Sequence, residues 1–125
     1  MRLLLDTHAL LWWLEGGHAL AAGARTAIGS PDSLVYVSAA SAWEMSIKRG
    51  KGRLDSPSDV LDAIDANGFR ELPIMVSHAQ SVGGLPPHHA DPFDRILIAQ
   101  AMLEGLTIVT RDPAFSHYDI PLLAA

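Results

Sequence analysis

Asp91-Pro92-Phe93-Asp94-Arg95-Ile96-Leu97-Ile98-Ala99-Gln100-Ala101-Met102-Leu103-Glu104-Gly105-Leu106-Thr107-Ile108-Val109-Thr110-Arg111-Asp112 reads as a whole helix followed by a whole strand, with an acid at each end. Asp91 is a good helix N-cap, and Pro92 suits the first helical position because the N–H it lacks would have no partner there. The residues from Ile96 to Leu103 continue as a largely apolar helix, and Gly105 supplies the left-handed residue that ends it. Leu106 to Val109 is a short run without charge, as expected of a strand covered on both faces. Pro113 forbids a simple continuation past Thr110-Arg111-Asp112. An Asp just beyond the C-terminal end of a buried parallel strand lies where open α/β sheets place their sites.

Working outward, Leu3-Leu4-Leu5 is a second buried strand that also ends in an acid, Asp6, followed by Thr7. His8 to Glu15 reads as a strongly apolar helix, a place for a partner to dock, broken by Gly16-Gly17; His18 to Ile28 reads as another helix with Arg25 outward. Leu34 to Val37 is a β-branched and aromatic strand. It feeds a helix over Ala39 to Arg49, with Ala39, Ala40, Trp43 and Ile47 on one face. Ser58 is placed to cap a helix reaching Asn67, with Val60, Leu61 and Ile64 inward and Asp59, Asp62 and Asp65 outward. Glu71 to Met75 is a brief strand candidate, Val76 to Val82 a short helix, and Asp119 to Leu122 a final edge strand. The alternation of strands and helices predicts a single α/β domain over 1–125: a parallel sheet sandwiched between helices.

At 125 residues the chain is long enough to bury roughly two-thirds of its unfolded surface. Its 49% hydrophobic and 18% charged residues describe a packed domain, not a disordered chain. No apolar run approaches the roughly 20 residues that span a bilayer, and Asp6 cuts short the apolar N-terminus, so no membrane role or signal peptide is expected. Without cysteine there is no disulfide or thiolate chemistry, and a cytoplasmic setting is expected.

Four acids stand out by position. Asp6 and Asp112 each follow a strand, Glu44 lies in the helix after the second strand, and Asp94 opens the main helix. In a parallel sheet the strand C-termini share one edge, so Asp6 and Asp112 face a common crevice. Carboxylates gathered there would repel unless something neutralised them, and an all-carboxylate site favours Mg²⁺, with Mn²⁺ as a substitute. Two such ions about 3.5–4 Å apart can activate water and stabilise the leaving oxygen of a phosphodiester. The net charge of −5 opposes a nucleic-acid partner at first sight, but setting the four acids aside leaves ten acids against nine bases. Lys48, Arg49, Lys51, Arg53 and Arg111 are then candidate phosphate contacts.

The ordered set Leu5-Asp6-Thr7-His8-Ala9-Leu10-Leu11-Trp12, Ser41-Ala42-Trp43-Glu44-Met45-Ser46-Ile47-Lys48, Asp91-Pro92-Phe93-Asp94-Arg95 with Ile98-Ala99-Gln100-Ala101, and Val109-Thr110-Arg111-Asp112 resembles the successive signatures of PIN-domain ribonucleases. More narrowly it resembles the VapC-type toxins of type II toxin–antitoxin modules, over nearly the whole chain. The resemblance implies a helix-sandwiched parallel sheet and an acid quartet, here Asp6, Glu44, Asp94 and Asp112, that binds Mg²⁺ or Mn²⁺ and cleaves RNA. It also implies a homodimer, higher toxin–antitoxin assemblies, and inhibition by a cognate antitoxin.

Several residues carry a second reading. Asp6 and Asp91 are also natural N-caps, and Asp91 is read as a cap and not a ligand. Asp94 suits a helix dipole as well as a metal. Thr7 and Thr110 can hydrogen-bond neighbouring carboxylates. Adjacent histidines in a Pro-rich loop, His88-His89, read as surface residues, since no further ligand stands at zinc spacing. Trp12, Trp13 and Trp43 fit core or dimer contacts better than base stacking. A phosphatase of the HAD type needs a second Asp two residues after the first, where this chain has His8. Two rival functions stay open at this stage: a PIN-like binding subunit without catalysis, and a DNA-directed or structure-specific nuclease.

Overall fold

The computed structural model describes residues 1–50 and 59–125. Five parallel strands run in the order β3-β2-β1-β4-β5, with β1 (Arg2–Leu5), β2 (Leu34–Ser38), β3 (Arg70–Leu72), β4 (Thr107–Thr110) and β5 (Leu122–Ala124). The helices are α1 (Thr7–Leu14), α2 (Ala22–Gly29), α3 (Ala39–Gly50), α4 (Val60–Ala66), α5 (Val76–Val82) and α6 (Pro92–Glu104), with a short 3₁₀ turn at Pro113–His117.

The uncharged runs Leu3 to Leu5 and Thr107 to Thr110 follow from burial on both faces. Along β1, Leu3 and Leu5 enter one core with Val35, Val37 and Val109, beneath α1, α2 and Met45 of α3. Leu4 points the other way, with Ile108, Leu97, Ile98 and Phe115. A period-two strand between two helical layers therefore has no position for a charge. Leu4 is fully buried, so truncation to alanine would cost about 2–5 kcal/mol.

The order also fixes where a site can form. Successive strands from β1 run outward through β2 and β3, whereas β4 and β5 lie on β1's other side. Connections leaving β1 and β4 diverge, opening a crevice at their C-terminal ends. Asp6 is the first residue after β1, and Asp112 the second after β4.

Some boundaries and faces differ from the sequence expectations. The helix expected from His18 begins only at Ala22, and Gly16 and Gly17 adopt φ values of 104° and 80° before it. Ser58 lies outside the described residues; Asp59 caps α4, its Oδ1 accepting from the Asp62 N–H at 2.9 Å. Leu61 is exposed, so the inward face of α4 is carried by Ile64 and partly by Val60. β3 stops at Leu72 before Pro73, which has no N–H for a ladder, and the last strand forms at Leu122–Ala124 instead of Asp119 to Leu122. On α3 the buried stripe is Ala40, Ser41, Glu44 and Met45, and Trp43 is 59% exposed. A carboxylate occupies the inward position because Thr7 and Lys48 satisfy it there, which rotates Trp43 outward against Phe93. The apolar residues of α1 mostly serve the core: Ala9, Leu10 and Leu11 are buried, while Trp12, Trp13 and Leu14 pack partly against it.

Candidate active site

Asp6 and Asp112 reach the crevice as caps of the segments that follow them. Asp6 Oδ1 accepts from the Ala9 N–H at 2.8 Å, opening α1. Its Oδ2 accepts from the Thr110 hydroxyl at 2.6 Å, tying the end of β1 to the end of β4. Asp112 Oδ1 accepts from the Ala114 N–H at 2.9 Å, and its backbone N–H donates to Thr110 Oγ1 at 3.1 Å. Each acid thus has one oxygen committed to local structure, and the threonine two residues before Asp112 fixes both.

Glu44 is buried on α3. Its Oε1 accepts from the Thr7 hydroxyl at 2.5 Å, and its Oε2 pairs with Lys48 Nζ at 2.7 Å, one helical turn away. The anticipated pairing with Lys48 exists, but with the carboxylate inside the protein instead of solvated. The hydrogen bond to Glu44, followed by attraction to Glu44, Asp91 and Asp94, raises the Lys48 pKa against the opposing effect of burial. Lys48 is thereby drawn into the acid cluster and is not a free phosphate contact.

Asp94 stands at the third position of α6, behind the Asp91 cap whose Oδ1 accepts from the Phe93 and Asp94 N–H groups at 2.9 and 3.1 Å. Burial, and then the neighbouring charges of Asp91, Asp6, Glu44 and Asp112, push its pKa up to about 8. Asp6 is raised too, chiefly by burial, with the hydrogen bonds from Thr110 and Ala9 opposing the rise. The other three acids singled out in the sequence, Asp6, Glu44 and Asp112, therefore act electrostatically on Asp94, though among the described residues only Asp112 comes within ligand-sharing distance of it together with a histidine; Asp91 serves as a cap.

His89 is the residue the sequence reading placed wrongly. Its side chain is 11% exposed, with Nε2 lying 3.0 Å from Asp94 Oδ2 and 3.1 Å from Asp112 Oδ2. His89, Asp94 and Asp112 each offer an atom within 4.8 Å of the others. His88 is exposed, as expected of the pair. The loop folds inward because Arg95 holds it: its guanidinium donates to the carbonyls of Val82, Leu85, Pro86 and His89 at 3.0–3.2 Å. Tyr118 completes the tie, accepting from the His89 N–H at 2.9 Å and donating to the Pro86 carbonyl at 2.7 Å. The signal available in the sequence was His89's position two residues before an Asp-Pro cap, which returns the loop to the start of α6.

Arg111 is engaged elsewhere. It donates to the carbonyls of Ala19 and Ala125 and lies 4.1 Å over the Trp12 ring, so it braces β4 instead of offering itself to phosphate. Arg49 is exposed, and Lys51 and Arg53 lie outside the described residues.

The donor set fits a hard divalent cation. Oxygen ligands predominate, and burial beside further acids leaves the Asp94 carboxylate without the compensation a cation would supply. A crevice at the sheet's switch point, walled by acids on two strand ends and two helices, defines a PIN domain, whose family model matches residues 3–121. The chain belongs to the PIN-domain family. It is 32% identical over 112 residues to Ribonuclease VapC22 of Mycobacterium tuberculosis, covering 87% of this chain and 85% of that protein. Its fold is shared by VapBC2 from Rickettsia felis bound to a promoter DNA fragment, with TM-score 0.72 and 14% identity over 98% of both chains. A toxin–antitoxin complex from Klebsiella pneumoniae shares it too, with TM-score 0.67 and 18% identity over 97% of this chain and 95% of that one.

Proposed function

We propose that the protein is a VapC-type endoribonuclease toxin that hydrolyses RNA phosphodiester bonds with Mg²⁺, or Mn²⁺ in its place, held by Asp6, Glu44, Asp94 and Asp112. One observation carries this reading: burial, and then the charges of Asp91, Asp6, Glu44 and Asp112 facing one crevice, drive Asp94 to a pKa of about 8. Structural acids are ordinarily dispersed or paired, and this convergence is what a cation would relieve. The likeness to a mycobacterial ribonuclease supports RNA as substrate.

When bound, the metal supplies Lewis acidity and a more acidic water. The chain's own residues do the rest. Thr110 and Thr7 hold Asp6 and Glu44 in fixed rotamers, so the donor oxygens stand ready before the cation arrives. Lys48 holds a positive charge beside Glu44 and offsets part of the acid cluster's charge. The exposed Trp43, edge-on to Phe93 at 5.0 Å, borders the acid-bearing helices and presents a face to an approaching strand. A homodimer and a cognate antitoxin follow from the same family reading, as does a cytoplasmic setting. No helix among the described residues is long and apolar enough to cross a membrane.

The test is incubation of antitoxin-free protein with total cellular RNA in Mg²⁺, Mn²⁺ or EDTA, with Asp6→Asn as control for contaminating nuclease. Discrete metal-dependent fragments absent from the variant are expected. No cleavage by folded protein under any metal would overturn the assignment in favour of a binding subunit or a DNA substrate.

A further inference from the structure

We propose that His89 is a positioning residue of this site, an Nε2–H donor to Asp112 that clips that acid beside Asp94 and does not itself ligate metal. This rests on the metal-site reading above. Imidazole within reach of two carboxylates would ordinarily be counted as a third ligand, and the three groups do lie close enough together. The opposite side of the ring argues otherwise. His89 Nδ1 accepts the backbone N–H of Asp91 at 3.2 Å, so that nitrogen must be bare. In a neutral imidazole the single proton then resides on Nε2, the nitrogen facing the two carboxylates. A metal-ligating Nε2 would need the reverse tautomer, with Nδ1–H driven against the Asp91 N–H.

The ring cannot readily turn to escape this assignment. It stands edge-on to Phe115 at 5.4 Å and 86°, Tyr118 Oη holds its backbone N–H, and Arg95 holds its carbonyl. The Asp91 N–H that selects the tautomer belongs to the residue capping α6, and α6 carries Asp94. One contact therefore sets both the ring's protonation pattern and its register with the acid it orients. The clip joins the α6 acid to the β4 acid much as Thr110 joins β4 to the β1 acid.

Two measurements on the full chain test this. Long-range ¹H–¹⁵N correlation of histidine-labelled protein should show His89 with Nε2 protonated and Nδ1 bare, both metal-free and with saturating Mg²⁺. A proton on Nδ1, a switch to a bare Nε2 on adding Mg²⁺, or the averaged pattern of a free imidazole would overturn the proposal. Mn²⁺ titration followed by electron paramagnetic resonance should show His89→Leu weakening Mn²⁺ binding about 10–100-fold, the usual effect of losing a partner that orients a ligand. His89→Gln, which keeps an N–H donor, should restore most of it. Wild-type Mn²⁺ affinity in a folded His89→Leu protein would defeat the proposal while leaving the metal site intact. Absence of Mn²⁺ binding by the wild type would defeat the metal reading and the clip's role in it together. Should His89→Leu fail to fold, the tautomer and the glutamine variant still decide, because a ligating imidazole predicts loss of binding in that variant.

Discussion

Replacing Asp94 by asparagine should stabilise the protein in the absence of metal, although it removes a residue proposed to act in catalysis. The sign follows from linkage. The Asp94 carboxyl moves from an ordinary value of 3.8 to about 8 on folding, so between those values the folded state holds a proton that the unfolded chain has released. Folding therefore becomes less favourable as pH rises from about 4 to about 8, and the loss levels off above that. At pH 7 the penalty is about 2–4 kcal/mol, and at pH 4 it falls below about 1 kcal/mol. Asparagine carries no such penalty and keeps a polar side chain beside His89 Nε2. Its amide must still be desolvated in the site, at a cost of about 1 kcal/mol. The net expectation in EDTA at pH 7 is a gain of about 1–3 kcal/mol, which for a domain of this size raises Tm by roughly 3–15 °C. At pH 4 the gain should vanish or reverse. Added Mn²⁺ should raise the Tm of the wild type well above its EDTA value and move the variant much less. Thermal melts of both proteins at pH 4, 6 and 8, with EDTA or Mn²⁺, decide the matter. An Asp94→Asn protein less stable than wild type at pH 8 in EDTA would refute the claim that burial and converging acids hold Asp94 under electrostatic strain.

Three further outcomes are expected. Mn²⁺ binding should release protons near neutral pH, because Asp94 enters the reaction largely protonated; calorimetry in buffers of different ionisation enthalpy would detect this, and its affinity should climb until about pH 8. Thr7→Val should leave a buried carboxylate oxygen of Glu44 without its hydroxyl donor and cost about 1–3 kcal/mol by denaturant melts, with Thr7→Ser close to wild type. Arg95→Lys should release the loop from Val82 to His89, since an ammonium cannot span the four carbonyls that the guanidinium fork reaches; faster amide exchange at His89 and Asp91 without change in β1 would mark it, and uniform protection throughout would contradict it.

The fold was legible where a single interaction dominates. Leu3 to Leu5 and Ile108-Val109 have no charged residue because both sheet faces are covered, and that pattern is visible in a few letters. Asp91-Pro92 and Gly105 mark the ends of α6 because capping chemistry is local, and Gly105 indeed takes φ 68°. Two strands with acids at their C-terminal ends were enough to suggest a crevice, given only that the sheet is parallel. What escaped was whatever depends on a partner far along the chain. Glu44 is satisfied inside the protein by Thr7, 37 residues earlier, as well as by Lys48, so the inward face of α3 could not be found from its own periodicity. His89 was read as a surface residue because nothing adjacent to it announces Arg95 and Tyr118 holding the loop down. Arg111 looked free for phosphate because its partners, Ala19 and Ala125, are backbone carbonyls that any sequence would supply.

Asp6 posed the sharpest choice in the sequence, between helix cap and active-site acid, and the geometry removes the choice. Asp6, Asp112 and Asp91 all cap the segments that follow them, each through Oδ1. For Asp6 and Asp112 the other oxygen, Oδ2, meets Thr110 or His89 within the cluster. Capping directs the partial positive charge of a helix or 3₁₀ start at the same carboxylate that must tolerate its acidic neighbours. The same hydrogen bonds that begin α1 and the turn after β4 therefore also offset part of the repulsion at the crevice. A fold can then gather these acids before any cation binds. An alanine at position 6 would remove cap and charge together, costing about 1 kcal/mol of helix initiation while relieving repulsion, and its stability would report neither effect cleanly. Asparagine keeps a cap oxygen, drops the charge and turns Oδ2, which accepts from Thr110 in Asp6 and meets His89 in Asp112, into an amide donor. If Asp6→Asn and Asp112→Asn abolish Mn²⁺ binding while leaving metal-free stability equal to or above wild type, the acids' cost to the fold and their service to the site are separable; a loss of stability in both would mean that the carboxylates, with Oδ2 held by Thr110 and His89, are what secures the crevice.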